Sequence, residues 1–168
     1  MLDELVGLAA NWITAQRNNH RPSADRLAPE IGAMFIPFFG DEIIGVARVR
    51  IVPSLENPAF FPAFETRYQV ALPDFSSMDG ITLDDTILLR DHRIELPLIF
   101  HELVHVAQYQ TLGILEFARQ YVMGWAENGR EYRAIPLERD AYELENRFRA
   151  EPARRFSVLD EVRCQLGR

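Results

Sequence analysis

The chain has 168 residues, 48% hydrophobic and 26% charged, the balance of a globular protein large enough for one sizeable core. A net charge of −7, from 25 acidic against 18 basic side chains, argues against nucleic acid or anionic membrane as the main partner, since both need a basic footprint. The single cysteine, Cys164, excludes an intrachain disulfide and a thiolate zinc cluster, and Met1-Leu2-Asp3-Glu4-Leu5 lacks the basic start and apolar run of a signal peptide, so a cytoplasmic protein is expected.

Residues 2–18 read as an amphipathic helix, with Leu2, Leu5, Val6, Ala9, Trp12 and Ile13 at three- and four-residue spacing. Turn-forming residues follow from Asn18 to Ser23. Residues 33–39 and 43–52 read as extended, divided by Gly40-Asp41; neither run is long enough to span a bilayer. In the second run Ala47, Val49 and Ile51 alternate with Arg48 and Arg50, a half-buried strand pattern with a solvated arginine face. Residues 53–63, with Pro53, Pro58, Pro62 and clustered phenylalanines, read as an irregular loop with apolar anchors. Thr66 to Leu72 suggests a strand, 73–80 is dense in turn formers, and Ile81 to Leu89 suggests an edge strand.

Pro97 suits the first turn of a helix running to about Thr111, with Gly113 just beyond its end. From 96 to 107 almost every position is apolar except His101, Glu102 and His105, which predicts a central buried helix with one polar notch. Leu115 to Met123 make a further helical pattern, and 124–135 reads as a loop. Pro136 opens a helix with the stripe Leu137, Ala141, Leu144 and Phe148; Pro152 ends it, and a short amphipathic segment closes the chain.

His101-Glu102-Leu103-Val104-His105 has the form H-E-x-x-H. On a helix, residues four apart share a face. Two imidazoles so placed can both reach one metal at roughly 2.0–2.1 Å, the bond length of tetrahedral zinc. Glu102 beside them is placed to take a proton from a water at that metal. Buried polar groups each cost roughly 1–3 kcal/mol when unpaired, and a metal with its water would satisfy all three.

A zinc site of this type needs a third protein ligand. A third histidine at the spacing of the metzincins is excluded, because Gln108 and Thr111 stand where the glycine and histidine of that pattern belong. The third ligand is therefore expected to be an acidic residue on a later helix, or His92 or His20. Glu138 is the leading candidate, one turn into the helix opened by Pro136, with the small Ala141 three residues on allowing close helix approach. Glu131, Glu143 and Glu145 are the alternatives.

H-E-x-x-H with a downstream E-x-x-A, here Glu138 to Ala141, resembles the gluzincin metallopeptidases, especially small single-domain members; the resemblance covers roughly residues 80–148. It implies an α+β, zincin-like fold over 1–168: a small twisted, mostly antiparallel sheet with an edge strand before a buried active-site helix, then a helical C-terminal half. Residues 1–95 would form the helix-plus-strand part and 96–168 the helical part carrying the metal. It implies a Zn2+ held by His101, His105 and Glu138, with Glu102 as general base and then acid, and a peptide or protein substrate paired along the edge strand. Many gluzincins have an Asp four residues after the third ligand, orienting a zinc histidine; here that position is Tyr142, and Asp140 and Asn146 are the candidates to replace it. The group that stabilises the oxyanion is sought among Tyr132, Tyr142 and His92. A zinc-binding module without peptidase turnover, and a metal-free protein docking through the aromatic segment 59–75, are the competing readings.

Overall fold

The computed structural model describes residues 1–91 and 94–167. It is mixed α+β and mostly helical, with seven α-helices and three strands among the described residues. The helices are α1 (Leu2–His20), α2 (Pro29–Val46), α3 (Phe61–Tyr68), α4 (Leu96–Leu112), α5 (Ile114–Glu127), α6 (Pro136–Ala150) and α7 (Val158–Gln165). The strands are β1 (Arg48–Val52), β2 (Gly80–Leu83) and β3 (Thr86–Arg90). None of the described helices is long and apolar enough to cross a membrane.

α4 is the axis of the molecule: every residue from Ile99 to Tyr109 is buried. A helix can be apolar all round only if neighbours cover all of its faces. On one side α2, α6 and α7 cover it with an aromatic cluster, in which Phe100 stacks on Phe148 with centroids 4.6 Å apart. On the other side lies a second core built from α1, α5 and the sheet. α5 and α6 meet where Gly124 leaves room for Pro136; a Cβ at 124 would lie 2.6 Å from the proline Cδ. This close approach sets where α6 begins, and so where Glu138 sits.

Several sequence expectations are corrected, among them the loop expected from residue 124, since α5 runs on to Glu127. Residues 33–46 are helical, not extended, apart from a kink at Gly40 (φ 69°). Phe35, Phe38, Phe39 and Ile43 are buried at helical spacing, while Met34 and Ile36 on the other face are also apolar but exposed, which masked the period. Residues 61–68 form α3 rather than part of a strand; Pro62 suits its first turn, Phe61 and Phe64 bury one turn apart, and Gln69 ends it in the left-handed region. Ile81 to Leu89 is a hairpin rather than one strand. Asp84 (φ 62°) and Asp85 form its loop, and Leu83 pairs with Thr86.

The sheet order is β1-β3-β2, with β1 parallel to β3 and β2 antiparallel to it. It is therefore mixed rather than mostly antiparallel, because the chain crosses from β1 through α3 and β2 before entering β3. The edge strand beside α4 is β2, and β3 is central. The alternation expected in β1 does not become a buried face: Ile51 is 57% exposed and Val52 is buried. Residues 1–95 hold all three strands and also α1–α3, and 96–167 is helical.

Asp85 anchors the hairpin to α1. It accepts hydrogen bonds from Arg17 Nε and Nη2 at 3.0 and 2.9 Å, and pairs with Arg21 at 2.8 Å. Burial by itself raises the Asp85 pKa, but the arginines and the Thr86 hydroxyl outweigh it and hold the carboxyl below its ordinary value.

Candidate metal centre

α4 carries His101 and His105 on one face, and α6 brings Glu138 to them; all three are buried. His101 Nε2 and His105 Nε2 are 3.1 Å apart. Glu138 Oε2 lies 3.3 Å from the first and 3.4 Å from the second. Tetrahedral ligands about 2.0–2.1 Å from a common centre are separated by about 3.3–3.4 Å. The three atoms thus approximate one face of such a tetrahedron, and the cluster could hold a metal ion.

The surrounding hydrogen bonds decide which ring nitrogens carry hydrogen. Gln108 Nε2 donates to the Leu137 carbonyl at 3.0 Å, so its Oε1 faces His105 Nδ1 at 2.8 Å. An amide oxygen only accepts, so His105 Nδ1 carries the proton and Nε2 presents a lone pair. His101 Nδ1 lies 3.2 Å from Glu145 Oε2, an ion-pair contact that favours hydrogen on that nitrogen. Tyr121 donates to Glu138 Oε1 at 3.0 Å, leaving Oε2 buried and without a hydrogen-bond donor. With both imidazoles neutral, three lone pairs would converge in this buried space; a second proton on His101 relieves them in the free protein, and a cation would do so in its place. Two imidazoles and one carboxylate suit a zinc-like transition metal better than calcium or magnesium, which prefer oxygen ligands.

The electrostatics point the same way. Burial lowers the His101 pKa, but Glu138, Glu145 and Glu102 together overcome this and raise it to about 10. Burial raises that of Glu138, and the two imidazoles reverse the sign and hold it well below the carboxylate range. The cluster favours positive charge at its centre.

Glu102 is buried between α4 and β2. Its Oε2 accepts from Thr82 Oγ1 at 2.7 Å, and its Oε1 lies against Gly80, where a Cβ would come within 2.7 Å. Burial raises its pKa, which favours holding a proton once one is taken. Thr82 and Gly80 are positioning residues that sequence reasoning did not single out; they were read only as part of a turn and a strand.

Tyr132, in a 3₁₀ turn ahead of α6, lines the same space as Glu102 and Glu138. Burial and the nearby carboxylates push its pKa well above the ordinary phenol value, so its hydroxyl stays protonated. Tyr142 instead packs its ring on His101, with centroids 4.5 Å apart, and the Arg133 guanidinium lies over the Tyr142 ring at 4.7 Å. Glu145 takes the place of the expected orienting Asp. Asp140 pairs with Arg139 and Asn146 is exposed, so neither takes the orienting role beside His101 or His105. Among the alternative third ligands, Glu131 and Glu143 are exposed and His20 bonds Arg50 far from α4; His92 lies outside the described residues. Arg48 is committed to the carbonyls of residues 45–47. Tyr121 and Gln108 were missed as site residues. Gln108 at the third position after His105 was the only available signal, and it was read only as the absence of a glycine.

No protein-family model, characterised protein or solved structure matches this chain.

Proposed function

We propose that this chain is a zinc-dependent hydrolase of the zincin type, with gluzincin-like ligands, that cleaves peptide bonds. The observation that carries the reading is the convergence of three potential ligand atoms, His101 Nε2, His105 Nε2 and Glu138 Oε2, beside a separate buried carboxylate, Glu102. His101, His105 and Glu138 would hold the ion. When bound, zinc polarises a carbonyl and brings the pKa of a water toward about 7.

The protein's own groups do the rest. Glu102 takes the proton of the attacking water and returns it to the leaving amine. Thr82 fixes one of its oxygens, and Gly80 leaves space for the other. The Tyr132 hydroxyl donates to the carbonyl oxygen as charge develops there. Tyr142 packs on the His101 ring and helps to hold it in place.

β2 favours an extended peptide. Arg90 N–H bonds the Asp79 carbonyl at 2.9 Å, and Ile81 and Leu83 face Leu88 and Thr86 in the antiparallel register. The alternate residues Gly80 and Thr82 therefore turn their backbone groups to the outer edge, where no other described backbone group bonds them. A strand-like substrate can add there.

Glu102→Gln tests the reading. Turnover on an unstructured protein substrate should fall by about 10²–10⁴-fold while zinc stays bound. Full activity in that variant would refute the general-base role, and retained zinc with no cleavage by the wild type would assign the centre to binding instead.

A further inference from the structure

A cavity opens from the metal centre into the second core. Glu102, His105 and Glu138 stand at one end, and the remaining walls are almost wholly apolar. Trp12 on α1, Phe60 and Phe61 at the start of α3, and Phe75 between α3 and β2 come from outside the motif region, and Phe117 and Trp125 come from α5. Trp12 stacks on Phe75 at 5.8 Å, and Phe117 on Tyr109 at 3.7 Å, so the walls are braced by one another. The space on the other side of Glu102 is different in kind: Asp79, Glu95, Glu145 and Arg149 gather there. Met78, Gly80, Glu102 and Tyr132 border both spaces, so Glu102 marks the boundary between an apolar arm and a polar one.

The free volume of the apolar cavity is about 100 Å³. A water needs roughly 10–15 Å³ of such space. The cavity therefore has room for several waters, a space on the scale of one large side chain rather than of a long acyl chain. A polar side chain there would leave its hydrogen bonds unmade. We infer that this cavity is a specificity pocket that takes one large apolar side chain, aromatic or branched aliphatic, from a peptide whose scissile bond lies at Glu102; the inference rests on the hydrolase reading above.

The chain supplies its own reporter. It has two tryptophans, Trp12 and Trp125, and both line the cavity, so tryptophan emission reads occupancy without turnover. The zinc-loaded full chain carrying Glu102→Gln is titrated with acetyl-Ala-Phe-Ala-amide and with acetyl-Ala-Ala-Ala-amide, and the wild type is assayed on a random peptide library. The Phe peptide should shift the emission and bind at least about tenfold more tightly than the Ala peptide. Library cleavage should show Phe, Leu or Met at one fixed position beside the cut bond. Ala9→Phe, which fills the cavity from α1, should erase the difference between the two peptides with the circular dichroism unchanged; Leu72→Phe fills it from the loop should Ala9→Phe fail to fold. Equal binding of the two peptides, none of either included, overturns the pocket, as does cleavage without apolar preference, which leaves the hydrolase standing. Tight, Phe-selective binding with no wild-type cleavage supports the pocket and overturns the hydrolase.

Discussion

The molecule contains two buried charged clusters, and they are built on opposite principles. Around Asp85, two arginines surround one carboxylate, every oxygen has a donor, and the cluster closes on itself. Around Glu138, two imidazoles and a carboxylate turn acceptor atoms toward each other, and Oε2 has no donor at all. Both take polar groups out of water, which costs free energy unless they are paired. The first offsets that cost with its own ion pairs and holds the hairpin against α1. The second offsets it only in part, through His101 and its carboxylates, and leaves Glu138 Oε2 without a hydrogen bond, which is the mark of a site prepared for something from outside.

Breaking each cluster should give different signatures. His105→Ala has the largest effect: zinc stoichiometry, measured by elemental analysis after dialysis, should fall from one per chain to near zero, and all hydrolysis with it. Chelation of the wild type comes next. With free zinc at about a thousand times its dissociation constant, binding contributes about 4 kcal/mol, so excess chelator should lower the unfolding free energy by that order, and zinc should restore it. Gln108→Leu removes the group that fixes the His105 tautomer, and should weaken zinc affinity by about 10–100-fold in a competition titration with the fold intact. Asp85→Ala should do the reverse. It should cost about 1–2 kcal/mol of stability, modest because both arginines reach solvent, and leave zinc stoichiometry untouched.

Acid separates the clusters too. The Asp85 carboxyl titrates below its ordinary value in the folded protein. Its stabilisation is therefore complete above the unfolded value of about 3.9 and is lost as pH falls through the lower, folded one. The difference in unfolding free energy between wild type and Asp85→Asn should be flat from about pH 8 to pH 5 and shrink below about pH 4. A difference that grows on acidification would contradict the assignment.

The contrast also explains what the sequence could and could not disclose. α4 and α6 were legible because their signals are local: prolines in the first turn, a 3.6-residue apolar stripe, and His101 and His105 one turn apart. Glu138 followed from its place in α6 and from the resemblance to known metal sites. α2 was read as extended because Met34 and Ile36 are apolar on its exposed face and Pro37 interrupts it. The hairpin was missed because Asp84 adopts the left-handed turn that more often falls to Asn or Gly. Glu145, Gln108, Tyr121, Thr82 and the apolar cavity depend on which helices and strands meet in space, and no spacing along the chain encodes that. Tyr142 is the instructive case. It stands where an orienting Asp was expected, but the carboxylate that reaches His101 comes from Glu145, one turn further along α6.

The central claim is that His101 Nε2, His105 Nε2 and Glu138 Oε2 share one cation. Crystals of the zinc-supplemented protein, measured on either side of the zinc absorption edge, test it most directly. The account predicts one strong anomalous peak about 2.0–2.1 Å from all three atoms, beside Glu102 but not bonded to it. A map with no peak there, the two rings closed off by protein groups, or a peak held by other residues, would contradict it.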